Sequence, residues 1–338
     1  METELLSVTT MANRTTRRAL LGSAALAPLA VRAQAAPAPW RIVTEYPATA
    51  IPGEGIAAFA EAATRLSHDA LVVTPGFDAP DGLRSAGMMR AVAAGQVEAA
   101  DAFTGALAGE DALFQVSALP FLTASAADAR RLWTVAEPAY RAVLAGRNLV
   151  LLYATPWPPT GLWSRTALPD AAALGGLRVR TYDAASTAVF RGVGAAPVAL
   201  SFADAQARLR SGELDAVLSS GDGGAGARLW EALPHFTALD YAFPLSLAFC
   251  NRTALDALPP EARDAVQAAG PATTARQFAA MDTRVAENEA RMAANGVGTV
   301  RVPSVRAALM AASVAVVADW QARAGDEGGR ILTAYRAG

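Results

Sequence analysis

Past residue 40 the chain alternates short apolar runs with longer stretches of helical spacing. Arg41 to Tyr46 changes polarity at every second or third position, as a half-buried strand does. Ile51 to Ser67 then repeats small and apolar residues at helical spacing, and Leu71 to Pro75 reads as a second strand. A short helix over Gly87–Gly95 stops at a glycine and feeds a third strand, Gln96 to Phe103. Ala126 to Ala145 is helical, and Asn148 to Tyr153 is a nearly continuous apolar strand. Strands alternating with helices at this spacing predict an α/β architecture with parallel sheet.

The pattern breaks at Thr155 to Trp163, which is stiff, aromatic and poor in helix formers, and which we read as a crossing between two lobes. The β-α alternation then restarts. Strands are expected at Leu177–Arg180, Ala196–Leu200 and Leu214–Ser220, with helices running up to Arg191 and over Asp204–Ser211. Gly212-Glu213-Leu214-Asp215 echoes Gly95-Gln96-Val97-Glu98, a weak internal similarity between the halves. Tyr241 to Cys250 reads as a strand returning to the first lobe. Helices follow from Asn251, from Leu258 and over Ala272–Asn295, then a strand at Val297–Val302. A last helix over Ala307–Ala334 should break at Gly328-Gly329. Two α/β lobes joined by two or three crossings describe a hinged cleft.

The first 35 residues read as an export signal. Thr16-Arg17-Arg18-Ala19-Leu20-Leu21 is a twin-arginine segment, the apolar run Ala19 to Val31 is short of the ~20 residues a bilayer span needs, and Ala33-Gln34-Ala35 suits a peptidase. The segment predicts an exported, periplasmic protein beginning near Ala36, translated from Met1 or Met11. The roughly 300 residues beyond it exceed what one core usually holds.

Composition removes whole classes of chemistry. All 29 basic residues are arginine, so Schiff-base catalysis, a Walker lysine and a Ser-Lys dyad are excluded. Two histidines, His68 and His235, and the single Cys250 do not supply an ordinary zinc site or an internal disulfide. A net charge of −2 without basic clusters gives nucleic acid no footing. No cofactor and no metal are expected.

Gly176 to Asp183 is the most informative segment. It reads as a strand ending on Arg180, where the planar guanidinium fork is well placed to receive both oxygens of a carboxylate. Gly176-Leu177-Arg178-Val179-Arg180 resembles the carboxylate-gripping segment of the solute-binding proteins of TRAP transporters, the tripartite ATP-independent periplasmic class. Leu119-Pro120-Phe121, Ala196-Pro197-Val198, Leu209 to Asp215 and Asn251 follow that family's pattern in order, so that the resemblance spans the whole chain beyond the signal. It implies a two-lobe periplasmic binding protein fold with a hinged cleft and a long connecting helix. It also implies no catalysis, an organic acid anion as ligand with Arg180 on its carboxylate, and integral-membrane TRAP subunits as partners.

Two departures narrow the ligand. Tyr182 stands where the family commonly has proline, and Leu162-Trp163 stands near where dicarboxylate and sialic acid members carry a second arginine. A monocarboxylate with an apolar or aromatic body is therefore expected. Trp157, Trp163 and Tyr182 are candidates to stack on that body, or else to pack the hinge. Ser219 and Ser220 end a strand facing the crevice, Tyr46 and Phe103 face it from the first lobe, and Phe243 and Asn251 complete the candidate set. For Phe243 core packing, and for Asn251 helix capping, are the competing roles. The lobes are expected to comprise residues 36–160 with 246–283, and 161–245 with 284–338. Two other readings stand beside this one: the binding component of an ABC importer or sensory receptor, and an exported serine hydrolase using Ser219 or Ser220 with His235 and an aspartate. The second lacks the first glycine of a nucleophile elbow.

Overall fold

The computed structural model describes residues 38–337, so the expected export signal lies outside the described residues. The first half opens with β1 (Ala38–Thr44), α1 (Ile51–Leu66), β2 (Leu71–Gly76), α2 (Ser85–Ala93) and β3 (Ala99–Phe103). Short 3-10 turns lead to α3 (Ala126–Ala145) and β4 (Leu149–Pro156). The second half runs β5 (Thr160–Ser164), β6 (Arg178–Thr181), α4 (Ala184–Gly192), β7 (Ala196–Ala199), α5 (Phe202–Arg210), β8 (Ala216–Ser220), α6 (Gly221–Gly226) and β9 (His235–Thr237). The chain ends with β10 (Leu245–Asn251), α7 (Arg252–Asp256), α8 (Pro260–Ala294), β11 (Thr299–Val300) and α9 (Pro303–Ala337).

These strands form two sheets, ordered β2-β1-β3-β10-β4 and β11-β9-β5-β8-β6-β7. Neither is purely parallel as the alternation predicts. In the first, β1 lies parallel to β2 and β3, while β10 runs antiparallel to β3 and β4. In the second, β6 lies parallel to β7 and β8, while β5 runs antiparallel to β8 and β9. The two sheets thus repeat one plan, and the antiparallel member of each is the crossing strand that follows or precedes the other lobe. This is the structural content of the faint echo between Gly95 and Gly212. The aromatic crossing is shorter than expected, because Thr160–Ser164 is itself a fully buried strand.

Each lobe has its own apolar layers. Val43, Ala100, Ala102, Leu247 and Phe249 back onto α2 and α3, and Ile42, Ala99, Ala248 and Cys250 face α1 and α8. Leu162, Val179, Ala216 and Leu218 form the second lobe's core with Val189 and Phe190. Two expectations are corrected at the C-terminal end. The helices starting near Leu258 and Ala272 are one, since α8 runs unbroken past Pro271. It carries Val266 to the first lobe and Met292 to the second. The break in α9 falls at Gly325 (φ 59, ψ −151), a conformation open essentially only to glycine, rather than at Gly328-Gly329. Because of that turn Ile331, Leu332 and Tyr335, together with Trp320, join the first lobe's core, whereas Val305 and Leu309 pack in the second. The stretch 284–338 therefore serves both lobes and not the second alone.

A buried polar hub ties these elements together behind the cleft. The carboxylate of Asp222, on α6, accepts the backbone N–H of Ile51 at 2.8 Å, the Nδ2 of Asn288 at 3.2 Å and the Nε of Arg284. Arg284 in turn donates to Glu54 at 3.0 Å. One carboxylate thus joins α1, α6 and α8, with a charge partner that offsets its burial.

Candidate functional site

The C-terminal ends of β1, β3, β6 and β8 converge on a cleft of about 710 Å³, continued inward by a chamber of about 30 Å³. Crevices beyond the carboxyl ends of strands are where α/β lobes bind ligands. Tyr46, Phe103, Arg180 and Tyr182 line both spaces, and Trp157, Phe202, Ser219 and Ser220 line the inner one.

Arg180 is the penultimate residue of β6 and is 4% exposed. Its Nε donates to the carbonyl of Leu200 at 3.0 Å and its Nη1 to that of Leu218 at 2.9 Å, which fixes the guanidinium plane. The rings of Tyr182 and Phe202 sit 5.9 and 5.8 Å from its centre. No carboxylate of the described residues comes within ion-pair distance of it. Burial therefore lowers its pKa, opposed by the nearby Tyr46 and Glu45.

The three acidic side chains that line the outer cleft are already engaged, Asp319 by Arg323 at 2.9 Å. Glu45 accepts the backbone N–H groups of Ser85 at 2.8 Å and Phe202 at 3.2 Å. Asp183 caps α4 through the N–H of Ser186 at 2.7 Å and also accepts from the amide of Gln115. Burial raises the Asp183 pKa, and the bonds from Ser186 and Gln115 work against that rise. Among the described residues no cluster of His, Cys, Asp or Glu is arranged to hold a metal ion.

The aromatic walls come from both lobes. Tyr46 meets the edge of Trp157 at 4.7 Å and lies 5.5 Å from Phe202, while Phe103 meets Tyr182 at 5.1 Å. Trp157 donates its indole N–H to Ser246 at 3.0 Å, so its polar edge is satisfied within the first lobe and its ring is free to form wall.

Of the residues singled out in the sequence, Arg180, Tyr182, Tyr46, Phe103, Trp157, Ser219 and Ser220 are brought together here. Three are not. Trp163 is fully buried in the second lobe, donating to the carbonyl of Ser220 at 3.1 Å and packed 5.0 Å from Phe236. Phe243 packs behind the walls, in one apolar cluster with Tyr46 and Trp157, and lines neither space. Asn251 lies at the far end of β10, five residues or about 17 Å from Ser246. There it caps α7 through the N–H of Ala254 at 3.1 Å and donates to Val92 at 2.9 Å. Glu45, Thr160 and Phe202 line the site without having been proposed as ligand contacts. Of the three, only Glu45, near the end of the first expected strand, carries a signal in the sequence.

A serine-histidine pair is excluded by register. On β5, Thr160 pairs with Ser220 and Ser164 with His235, four residues or about 13 Å apart. The Ser220 hydroxyl is itself occupied, accepting from Gly223 N–H at 3.1 Å as the cap of α6.

Solved structures share this fold. DctP7 of Bordetella pertussis, an extracytoplasmic solute receptor binding pyroglutamic acid, is 27% identical and superposes with a TM-score of 0.84 over 88% of this chain and 99% of its own. A marine metagenome TRAP solute-binding protein specific for pyroglutamate gives the same identity and TM-score over 89% and 99%. A TRAP periplasmic protein of Xanthobacter autotrophicus with bound β-D-galacturonate, at 15% identity and a TM-score of 0.80 over 88% and 99%, shares the fold alone. No curated protein matches in sequence. Residues 45–323 match the bacterial extracellular solute-binding proteins of family 7, DctP. With two lobes of one strand plan around a cleft and a buried arginine in it that no carboxylate of the described residues pairs, this chain belongs to that family, the solute receptors of TRAP transporters.

Proposed function

We propose that this receptor captures a small organic monocarboxylate outside the cytoplasm and hands it to integral-membrane TRAP subunits. Its carboxylate rests on Arg180, and Tyr46, Trp157, Phe202 and Tyr182 enclose a compact apolar body. The observation that carries this reading is the buried guanidinium with two of its donors fixed to backbone carbonyls and no acidic partner among the described residues. A desolvated cation is costly until an anion completes it, so ligand favours the closed arrangement over the open one. Among the described residues no second cation lines the inner chamber, and Arg323 of the outer cleft is paired with Asp319, which argues against dicarboxylates. Pyroglutamate, the ligand of the relatives at 27% identity, is the first candidate. Export through the twin-arginine route, with removal of residues 1–35, belongs to the same reading.

The test is calorimetric titration of ligand-stripped protein with pyroglutamate, aliphatic and aromatic monocarboxylates, dicarboxylates and uronates, on the native chain and on Arg180→Ala. Monocarboxylates should bind, and the substitution should cost about 2–5 kcal/mol of affinity while the fold persists. Undiminished binding by Arg180→Ala would remove the anchor.

A further inference from the structure

Of the five hydroxyl-bearing residues that line the inner chamber with Arg180, three on the second lobe serve no helix cap: Thr160, Tyr182 and Ser219. Thr160 and Ser219 are 2% and 8% exposed, and neither hydroxyl is used by a helix cap or a backbone carbonyl, in contrast to Ser220. The Tyr182 hydroxyl is fully buried next to Thr160, yet completes no hydrogen bond of normal geometry among the described residues. Buried hydroxyls without partners are costly, and natural interiors satisfy nearly all of them. The Tyr182 hydroxyl, just past β6, is one such orphan, and with Thr160 on β5 and Ser219 on β8 at the same wall it points to a group that arrives with the ligand.

The charge of the chamber says what that group is. Arg180 is its sole ionic side chain, because Glu45 and Asp183 line only the outer cleft and are held by backbone N–H groups and Gln115. A second carboxylate would find no cation there. An ammonium group would sit beside the guanidinium with no free anion to offset it. Hydroxyls, by contrast, both donate and accept, and so suit a carbonyl or an amide N–H.

We infer that Thr160, Tyr182 and Ser219 form a second recognition point that reads a neutral hydrogen-bonding group on the ligand. The solute is then a compact, non-zwitterionic acid carrying an amide or carbonyl a few bonds from its carboxylate, a lactam acid being the simplest case. This rests on Arg180 as the carboxylate anchor. Tyr182 takes part through its hydroxyl as well as its ring, which gives the replacement of the usual proline a purpose.

The experiment compares three five-membered-ring acids by calorimetry: pyroglutamate, cyclopentanecarboxylate, which lacks the amide, and proline, which carries an ammonium. Each is titrated into the native chain, Thr160→Val, Tyr182→Phe, Ser219→Ala and Arg180→Ala, with melting curves to verify folding. Pyroglutamate should bind at least about tenfold more tightly than cyclopentanecarboxylate, and proline more weakly than both. The three hydroxyl deletions should each weaken pyroglutamate more than cyclopentanecarboxylate and so narrow the first gap. Equal binding of pyroglutamate and cyclopentanecarboxylate to the native chain, or a gap unmoved by all three deletions, overturns the second recognition point and leaves the anchor standing. Failure of every acid, or indifference of all three to Arg180→Ala, overturns the anchor and this inference with it.

Discussion

Glu45 and Phe202 are joined across the cleft. The carboxylate follows β1 in the first lobe, and the backbone N–H it accepts at 3.2 Å opens α5 in the second. The same carboxylate accepts the N–H of Ser85 at 2.8 Å, the first residue of α2. Two helix N-termini from different lobes therefore meet on one anion, where both leave N–H groups unsatisfied and both carry partial positive charge. Arg84–Asp204 at 2.9 Å and Gln115–Asp183 bridge the same seam. The bonds to Phe202 and from Gln115 exist only while the lobes are together, which makes them part of the free energy of closure.

Glu45→Ala should weaken solute binding by about 1–2 kcal/mol, roughly five- to thirtyfold, mainly by faster release. Arg84→Ala should matter less, since half-exposed ion pairs contribute about 1 kcal/mol or less. Stopped-flow release rates and calorimetry on both variants decide the point. Equal affinities for Glu45→Ala and the native chain would mean that the bridge does not favour the closed state.

The two tryptophans of the crossing should separate binding from stability. Trp163 is enclosed so tightly that a methyl group on Gly224 would lie 2.1 Å from its ring. Trp163→Phe leaves a void and removes the indole bond to the Ser220 carbonyl, so it should cost about 2–3 kcal/mol of folding stability and change affinity less than about twofold. Trp157→Phe removes the bond to Ser246 and reshapes the wall against Tyr46, and should weaken binding by about tenfold. Denaturant melts and titrations on the pair provide the check. A larger affinity change from Trp163→Phe than from Trp157→Phe would contradict this placement.

The same pair shows where the sequence was legible. Period and glycine stops located the helices of both lobes, α3 to the residue, and the strand-terminal position of Arg180 marked the cleft. Six residues separate Trp157 from Trp163, and nothing local to either tells wall from core. The difference comes from β5, which pairs with β8 and β9 and drives Trp163 between Gly224 and Phe236. Asn251 takes its capping role and not the ligand role for a similar reason. Its position after a returning strand is local, but which end of β10 meets the cleft is set by pairing with β3 and β4. Gly325 and Gly328-Gly329 are equally good breakers on paper, and the choice between them is made by Trp320 and Tyr335 packing on the first lobe. Glu45 was visible as an acid near a strand end, but its partners are 40 and 157 residues away.

Asp101 should make folding stability fall as pH rises. It lies on β3 opposite Thr44 and Ala248, is wholly buried, and neither oxygen completes a hydrogen bond of normal geometry among the described residues. Burial pushes its pKa up to about 8, against partial relief from the adjacent hydroxyls of Ser246 and Thr44. In the unfolded chain the same carboxyl titrates near 4. Between about pH 4 and pH 8 the folded protein thus holds a proton that the unfolded chain has lost. Stability contributed at this position declines through that window, by up to about 1.4 kcal/mol per unit, and levels off above it. Asp101→Asn keeps the shape and the neutral state but cannot ionise, so its urea-unfolding free energy should be less pH-dependent and, at pH 8, higher than that of the native chain. The carboxyl adjoins Ser246, the partner of the Trp157 indole, so its ionisation above pH 8 should also disturb the cleft wall and weaken binding in the native chain more than in Asp101→Asn. Unfolding curves at pH 5 and pH 8 on both proteins give the answer, and parallel pH profiles would show that Asp101 ionises normally in the folded state.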